Sequence, residues 1–178
     1  MKSMKLHLRK VVGDVKLSFE ELYTLITQVE ACLNSRPLAP LLDASEGMEV
    51  LTPGHFLVGR SLQALPDPSA SYQSISMLKR WHLVQALTRH FWKRWSSEYL
   101  ITLSRINKWQ SRKPNLREGD IVAVKEDTFT TPSQWPIARI VRTNQGSDGR
   151  VRVASIKTPI GTYKRPITKL VLLLSSED

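Results

Sequence analysis

Between Ser76 and Pro114 the chain reads SMLKRWHLVQALTRHFWKRWSSEYLITLSRINKWQSRKP, with four of its five tryptophans and no proline before the last residue. On a helix turning about 100° per residue, Trp81, Val84, Phe91, Trp92, Trp95 and Tyr99 fall on one side. Lys79, Arg80, Arg89, His90, Lys93 and Arg94 fall on the other. Such a helix needs an apolar surface to bury one face and water or an anion for the other. Helical spacing assigns the aromatics to a core. Stacking of Trp81, Trp92, Trp95 and Trp109 on unpaired bases is the alternative.

Charge sharpens this picture. Residues 79–113 carry nine Lys/Arg and one acid, Glu98, and so hold +8 of the formal +10. Residues 1–78 sum to −1 and residues 114–178 to +3. Mixed signs are the usual soluble surface. Their absence here, with a pI near 10, points to a polyanion: DNA, RNA or an acidic membrane face. No run of 18 apolar residues predicts a membrane span. The first residues carry no apolar secretory core. Cys32 is alone, which excludes an internal disulfide framework, and it lies on an apolar helix face where a buried thiol is expected. These features fit a reducing, intracellular compartment.

Ahead of that segment, residues 1–12 form a short basic amphipathic stretch broken by Gly13-Asp14. Ser18 and Glu21 form an S-x-x-E capping box that opens a helix. Leu22, Leu25, Ile26, Val29 and Leu33 give it one buried face, and Pro37 ends it. Residues 38–54 are expected to be irregular, with Pro53 opening a short helical turn after Thr52. Residues 61–75 are rich in Pro, Ser and Ala and mark a linker. Ser96-Ser97 is expected to bend the basic helix, with a second helix over 99–109.

Beyond Pro114 the pattern becomes short strands at 121–124, 137–141, 151–156 and 171–174. Turns are expected at Ser147-Asp148-Gly149 and Ile160-Gly161-Thr162, and a single helical turn over 166–170. Counting one more after the Ile160-Gly161-Thr162 turn, five strands in about 60 residues suggest a small closed barrel. Arg139, Arg142, Arg150, Arg152, Lys157, Lys164, Arg165 and Lys169 decorate it. The short alternation does not say which of them face outward.

Several blocks together resemble a known family. FEELYTLITQVEACLNSRPL (19–38) and LTPGHFLVGRSL (51–62) are similar to the end of the integrase catalytic core of Pao/BEL-type LTR retrotransposons. WHLVQALTRHFWKRWSSEYL (81–100), GDIVAVKED (119–127), WPIARIV (135–141) and DGRVRVASIKTPIGTYKRPITKL (148–170) resemble the domain of unknown function that follows that core. The resemblance implies an α+β chain in four parts. Residues 1–60 would be a helical remnant of the RNase H-like core, 61–75 a linker, 76–113 the basic aromatic helical segment, and 114–174 an SH3-like five-stranded β-barrel.

The family's chemistry is DNA strand transfer at two Asp and one Glu that hold Mg²⁺ or Mn²⁺. The resemblance places all three before Met1, so the chain is expected to be a C-terminal fragment or a truncated gene product with no catalysis and no cofactor of its own. One Cys and four His (His7, His55, His82, His90) do not make the family's zinc module. What remains is binding to DNA, with RNA open, in the nucleus where the family works. The candidate contacts are Lys79, Arg80, Arg89, Lys93 and Arg94 on the helix, and Arg139, Arg142, Arg150, Arg152, Lys164 and Arg165 on the strands. Lys2 and Lys5 match the one-turn spacing of family lysines that face the DNA end. The competing reading is a protein-interaction module of SH3 or chromodomain type, for which Phe129, Trp135 and Tyr163 would be the aromatic candidates. The remaining partner is the rest of the integrase, or a second copy bound through exposed faces of the first helices.

Overall fold

The computed structural model describes residues 2–41, 49–62, 75–104, 115–125 and 131–174. It is a mixed helical and sheet protein with helices first and an antiparallel sheet last. Its elements group into two compact units, and the long helix contributes to both.

The first unit holds α1 (Lys2–Val12), α2 (Phe19–Asn34), most of α3 (Pro53–Val58) and α4 (Ile75–Ser104) as far as Ser96. The capping box opens α2 as the sequence predicts. The Glu21 amide donates to Ser18 Oγ at 3.3 Å, and the Ser18 amide donates to Glu21 Oε2 at 2.8 Å. Each bond satisfies a backbone donor that the first helical turn leaves open. The buried line of α2 is Leu25, Val29 and Cys32, with Leu33 half-buried. Leu22 and Ile26, expected inside, are exposed, because the buried stripe is rotated toward Cys32 and Ser35.

On α4 the aromatic face forms as expected. Val84, Phe91, Trp92 and Trp95 are buried, and the Phe91–Trp95 and Trp92–Trp95 ring centroids lie 6.5 and 5.9 Å apart. α1 adds a buried His7, edge-on to Phe91 at 6.4 Å. Gln28 of α2 meets the Thr88 hydroxyl, so the first helices pack on the aromatic face. Ser96-Ser97 does not break α4. The Ser96 hydroxyl donates back to the Trp92 carbonyl at 2.6 Å, and the helix runs on to Ser104. The expected second helix to residue 109 and most of the linker lie outside the described residues.

The second unit holds the remainder of α4, a two-stranded ladder and a five-stranded sheet. Within the stretch expected to be irregular, β1 (Ala39–Pro40) pairs with β2 (Val50–Leu51). The sheet comprises β3 (Ile121–Val124), β4 (Ile137–Gln145), β5 (Val151–Thr158), β6 (Gly161–Pro166) and β7 (Leu170–Leu174), with a 3₁₀ turn at Ile167–Lys169 before β7. Its order is β6-β5-β4-β3-β7, antiparallel throughout. The expected closed barrel is not formed: β6 and β7 stand at opposite edges, with no ladder joining them. Strand number was readable from turn spacing, but closure depends on register and bending, which turn spacing does not encode.

One sheet face carries the core of Val122, Val124, Ala138, Ile140, Ala154, Ile156 and Leu170, with Leu116 against it. Trp135 is half-buried with its ring 5.5 Å from Tyr99, whose hydroxyl donates to the Pro37 carbonyl at 2.8 Å.

Candidate nucleic-acid interface

The helical cations stand where the spacing puts them. Lys79, Arg80, Arg89, His90, Lys93 and Arg94 are all exposed, and all but Arg80, which turns toward α2, lie opposite the buried aromatics. Arg80 is engaged by residues before and within α2. Its Nε donates to Glu21 Oε1 at 2.6 Å, its second nitrogen pairs with Glu21 Oε2, and it also reaches the Lys16 carbonyl at 3.0 Å. That fork holds the Glu21 carboxyl below its ordinary pKa, helped by the Ser18 amide. A guanidinium tied to a carboxylate has less to offer a phosphate; Lys79, Arg89, Lys93 and Arg94 are the other exposed Lys and Arg side chains of this helix. Lys5 is exposed on α1, whereas the side chain of Lys2 lies outside the described residues.

Cross-strand register resolves the sheet. Arg142 lies opposite Ser155, and Ser155 opposite Lys164. One step along, Arg139 lies opposite Lys157, and Lys157 opposite Thr162. Directly opposed residues share a face, and so do residues two apart on one strand. Arg139, Arg142, Lys157 and Lys164 therefore share the face opposite Ile140, Ala154 and Ile156, and all four are exposed. A register shift between Ile140 and Arg142 lets Arg142 join Arg139 although they stand three positions apart. Neighbouring strands lie about 4.8 Å apart, which sets these cations in two adjacent rows. Strands β4, β5 and β6 contain no acidic residue.

The other strand arginines are placed differently. Arg165 lies opposite Ala154, on the core side of edge strand β6, with its guanidinium 5.9 Å from the Tyr163 ring centroid. Arg150 and Arg152 stand at the β4–β5 turn with Asp148. Arg152 pairs with that carboxylate at 2.9 Å, and the Arg150 amide donates to it at 3.3 Å. The Arg150 amide is the leading cause that lowers the Asp148 pKa. The structure thus brings Arg139, Arg142 and Lys164 together, adds Lys157, and separates Arg150, Arg152 and Arg165 from them. No alternation rule could find that grouping, because the register shifts at Ile140/Arg142 and Asn144/Gln145 reset the period.

Of the aromatic-cage candidates, Phe129 lies outside the described residues, and Tyr163 is engaged with Arg165. Among the described residues, no three of His, Cys, Asp and Glu gather closely enough to hold a metal. Among them too, no helix is long and apolar enough to cross a membrane. The Cys32 thiol is fully buried and receives the Ser133 hydroxyl at 3.7 Å, and burial pushes its pKa up to about 11.

Residues 79–173 match the pattern of a family of unknown function, DUF5641. The chain belongs to that family. The matched region runs from the first basic residue pair of α4 to the last strand, so it includes both cation faces. No curated protein and no solved structure matches the chain.

Proposed function

We propose that this DUF5641 protein binds nucleic acid through backbone phosphates and carries out no chemistry of its own. In this reading it serves DNA integration as the C-terminal region of a Pao/BEL-type retrotransposon integrase, in the nucleus. The observation that carries the binding reading is the sheet face of Arg139, Arg142, Lys157 and Lys164, built from three strands that hold no acid. The exposed helix cations Lys79, Arg89, Lys93 and Arg94 support it. Phosphate recognition needs exposed, forked or mobile donors rather than one fixed constellation. The integrase assignment rests on the sequence blocks quoted above. We read the strand order, with its 3₁₀ turn before the last strand, as an opened SH3-like sheet.

A second reading has its own support. Phe19, Leu22, Tyr23 and Ile26 repeat at helical spacing on α2, and all four are exposed, Phe19 by 78% and Tyr23 by 67%. A contiguous apolar stripe favours a protein partner.

Fluorescence anisotropy of a labelled DNA duplex across a salt series separates the two. Binding should weaken with a log–log slope of about −0.9 per phosphate contact. Changing Arg139, Arg142, Lys157 and Lys164 to Gln should remove several such units. A slope indifferent both to that change and to Gln at Lys79, Arg89, Lys93 and Arg94 would withdraw the reading. An RNA duplex run alongside tests preference, since phosphates alone do not distinguish the two.

A further inference from the structure

The tip of the β5–β6 hairpin carries a side chain that neither the core nor the turn requires. Ile160 is 89% exposed, more than any other large apolar residue among the described ones. Pro159 beside it is exposed as well. The turn itself is made by its neighbours. Thr158 and Gly161 close it as a register pair, and the Thr158 hydroxyl donates to the Gly161 carbonyl at 2.9 Å while accepting from the Gly161 amide at 3.3 Å. Gly161 has φ +156°, and a Cβ there would meet the Tyr163 hydroxyl at 3.4 Å. Pro159 fixes its own φ. The isoleucine is thus held out at the end of a hydrogen-bonded turn.

Charge surrounds this tip on one side. Lys157 precedes the closing pair by one residue, Arg139 lies opposite it, and Lys164 stands on the same face. Between residues 137 and 174 the only acid is Asp148, which belongs to the β4–β5 turn and pairs with Arg152.

We propose that Pro159–Ile160 is an apolar wedge that enters an opened base step of double-stranded nucleic acid, while Arg139, Lys157 and Lys164 hold the flanking phosphates. The proposal rests on the nucleic-acid reading and adds a mechanical step to it. Apolar side chains partly unstack and kink a duplex in this way, at a cost that extra backbone contacts offset. Pyrimidine–purine steps open most easily, so they are the preferred target. An acidic lipid surface shares the chemistry of cations beside an apolar tip. Membrane affinity grows with apolar area buried, however, and one isoleucine supplies little.

The test uses a duplex with 2-aminopurine at a central TA step, titrated with the full chain, with Ile160→Ser and with Ile160→Leu. The intact chain and Ile160→Leu should raise the fluorescence on binding. Ile160→Ser should still bind, with a salt slope no steeper than the parent's, but without the rise, and its thermal unfolding should match the parent. A rise of equal size with Ile160→Ser, or binding by the parent with no rise, overturns the wedge and leaves the phosphate reading standing. No duplex binding by the parent at low salt removes both. Co-sedimentation with phosphatidylserine vesicles that depends on Ile160, with no unstacking, would overturn the wedge in favour of a lipid surface.

Discussion

The two cation faces differ in how they are built. On α4 the charges follow from one helix and a 3.6-residue period, and Arg80 is drawn off by Glu21. On the sheet, three strands and a register shift bring together residues from Arg139 to Lys164. A helical face is a local property that survives small errors of packing. A sheet face is a property of register, and a slip of one residue would scatter it. The helix should therefore tolerate change that the sheet does not, and each core can be disturbed separately to show it.

The largest effects are expected from the cores. Trp92→Ala should cost about 3–5 kcal/mol and Ile156→Ala about 2–5 kcal/mol, the usual range for emptying such sites. Hydrogen exchange should place the first loss in α2 and α4 and the second in β4–β6. Exchange that rises equally everywhere in both variants would erase the distinction.

Cys32 sharpens the comparison, because it reports on the helical unit alone. With its pKa near 11 and no exposed surface, its reaction with a thiol reagent at about pH 8 should be at least roughly a hundredfold slower than in denaturant. Ile156→Ala should leave that protection in place, whereas Trp92→Ala should weaken it.

Smaller effects lie at the start of α2. Ser18→Ala removes the cap and should cost about 1 kcal/mol by urea unfolding. The pKa of Glu21 is lower folded than unfolded, so its contribution is full above the ordinary value of 4.5 and is lost as pH falls through the lower, folded value. Glu21→Gln should flatten the acid limb of a stability–pH profile. It should also release Arg80 and steepen the salt slope of duplex binding slightly.

These contrasts parallel what the sequence made legible. The capping box, the aromatic and basic sides of α4, the buried Cys32, the hairpin turns and the 3₁₀ turn were readable because each is a local pattern. The exposure of Leu22 and Ile26 was not, since both fit the helical period and only packing selects the stripe that is buried. The continuity of α4 past Ser96-Ser97 was not readable either, because a serine hydroxyl can bond back to its own helix. The open sheet, the β1–β2 ladder and the grouping of Lys157 with Arg139 and Lys164 depend on pairing between distant residues. Ile160 lies within a turn that the sequence predicts, and a turn residue signals through backbone geometry rather than exposure.

The most direct test of the central claim is lysine acetylation footprinting by mass spectrometry, with and without a DNA duplex at low salt. Lys157 and Lys164 on the sheet, and Lys79 and Lys93 on the helix, should be protected by the duplex, while Lys10 and Lys16 react unchanged. Equal labelling of all six in the presence of saturating duplex would contradict phosphate binding by these faces.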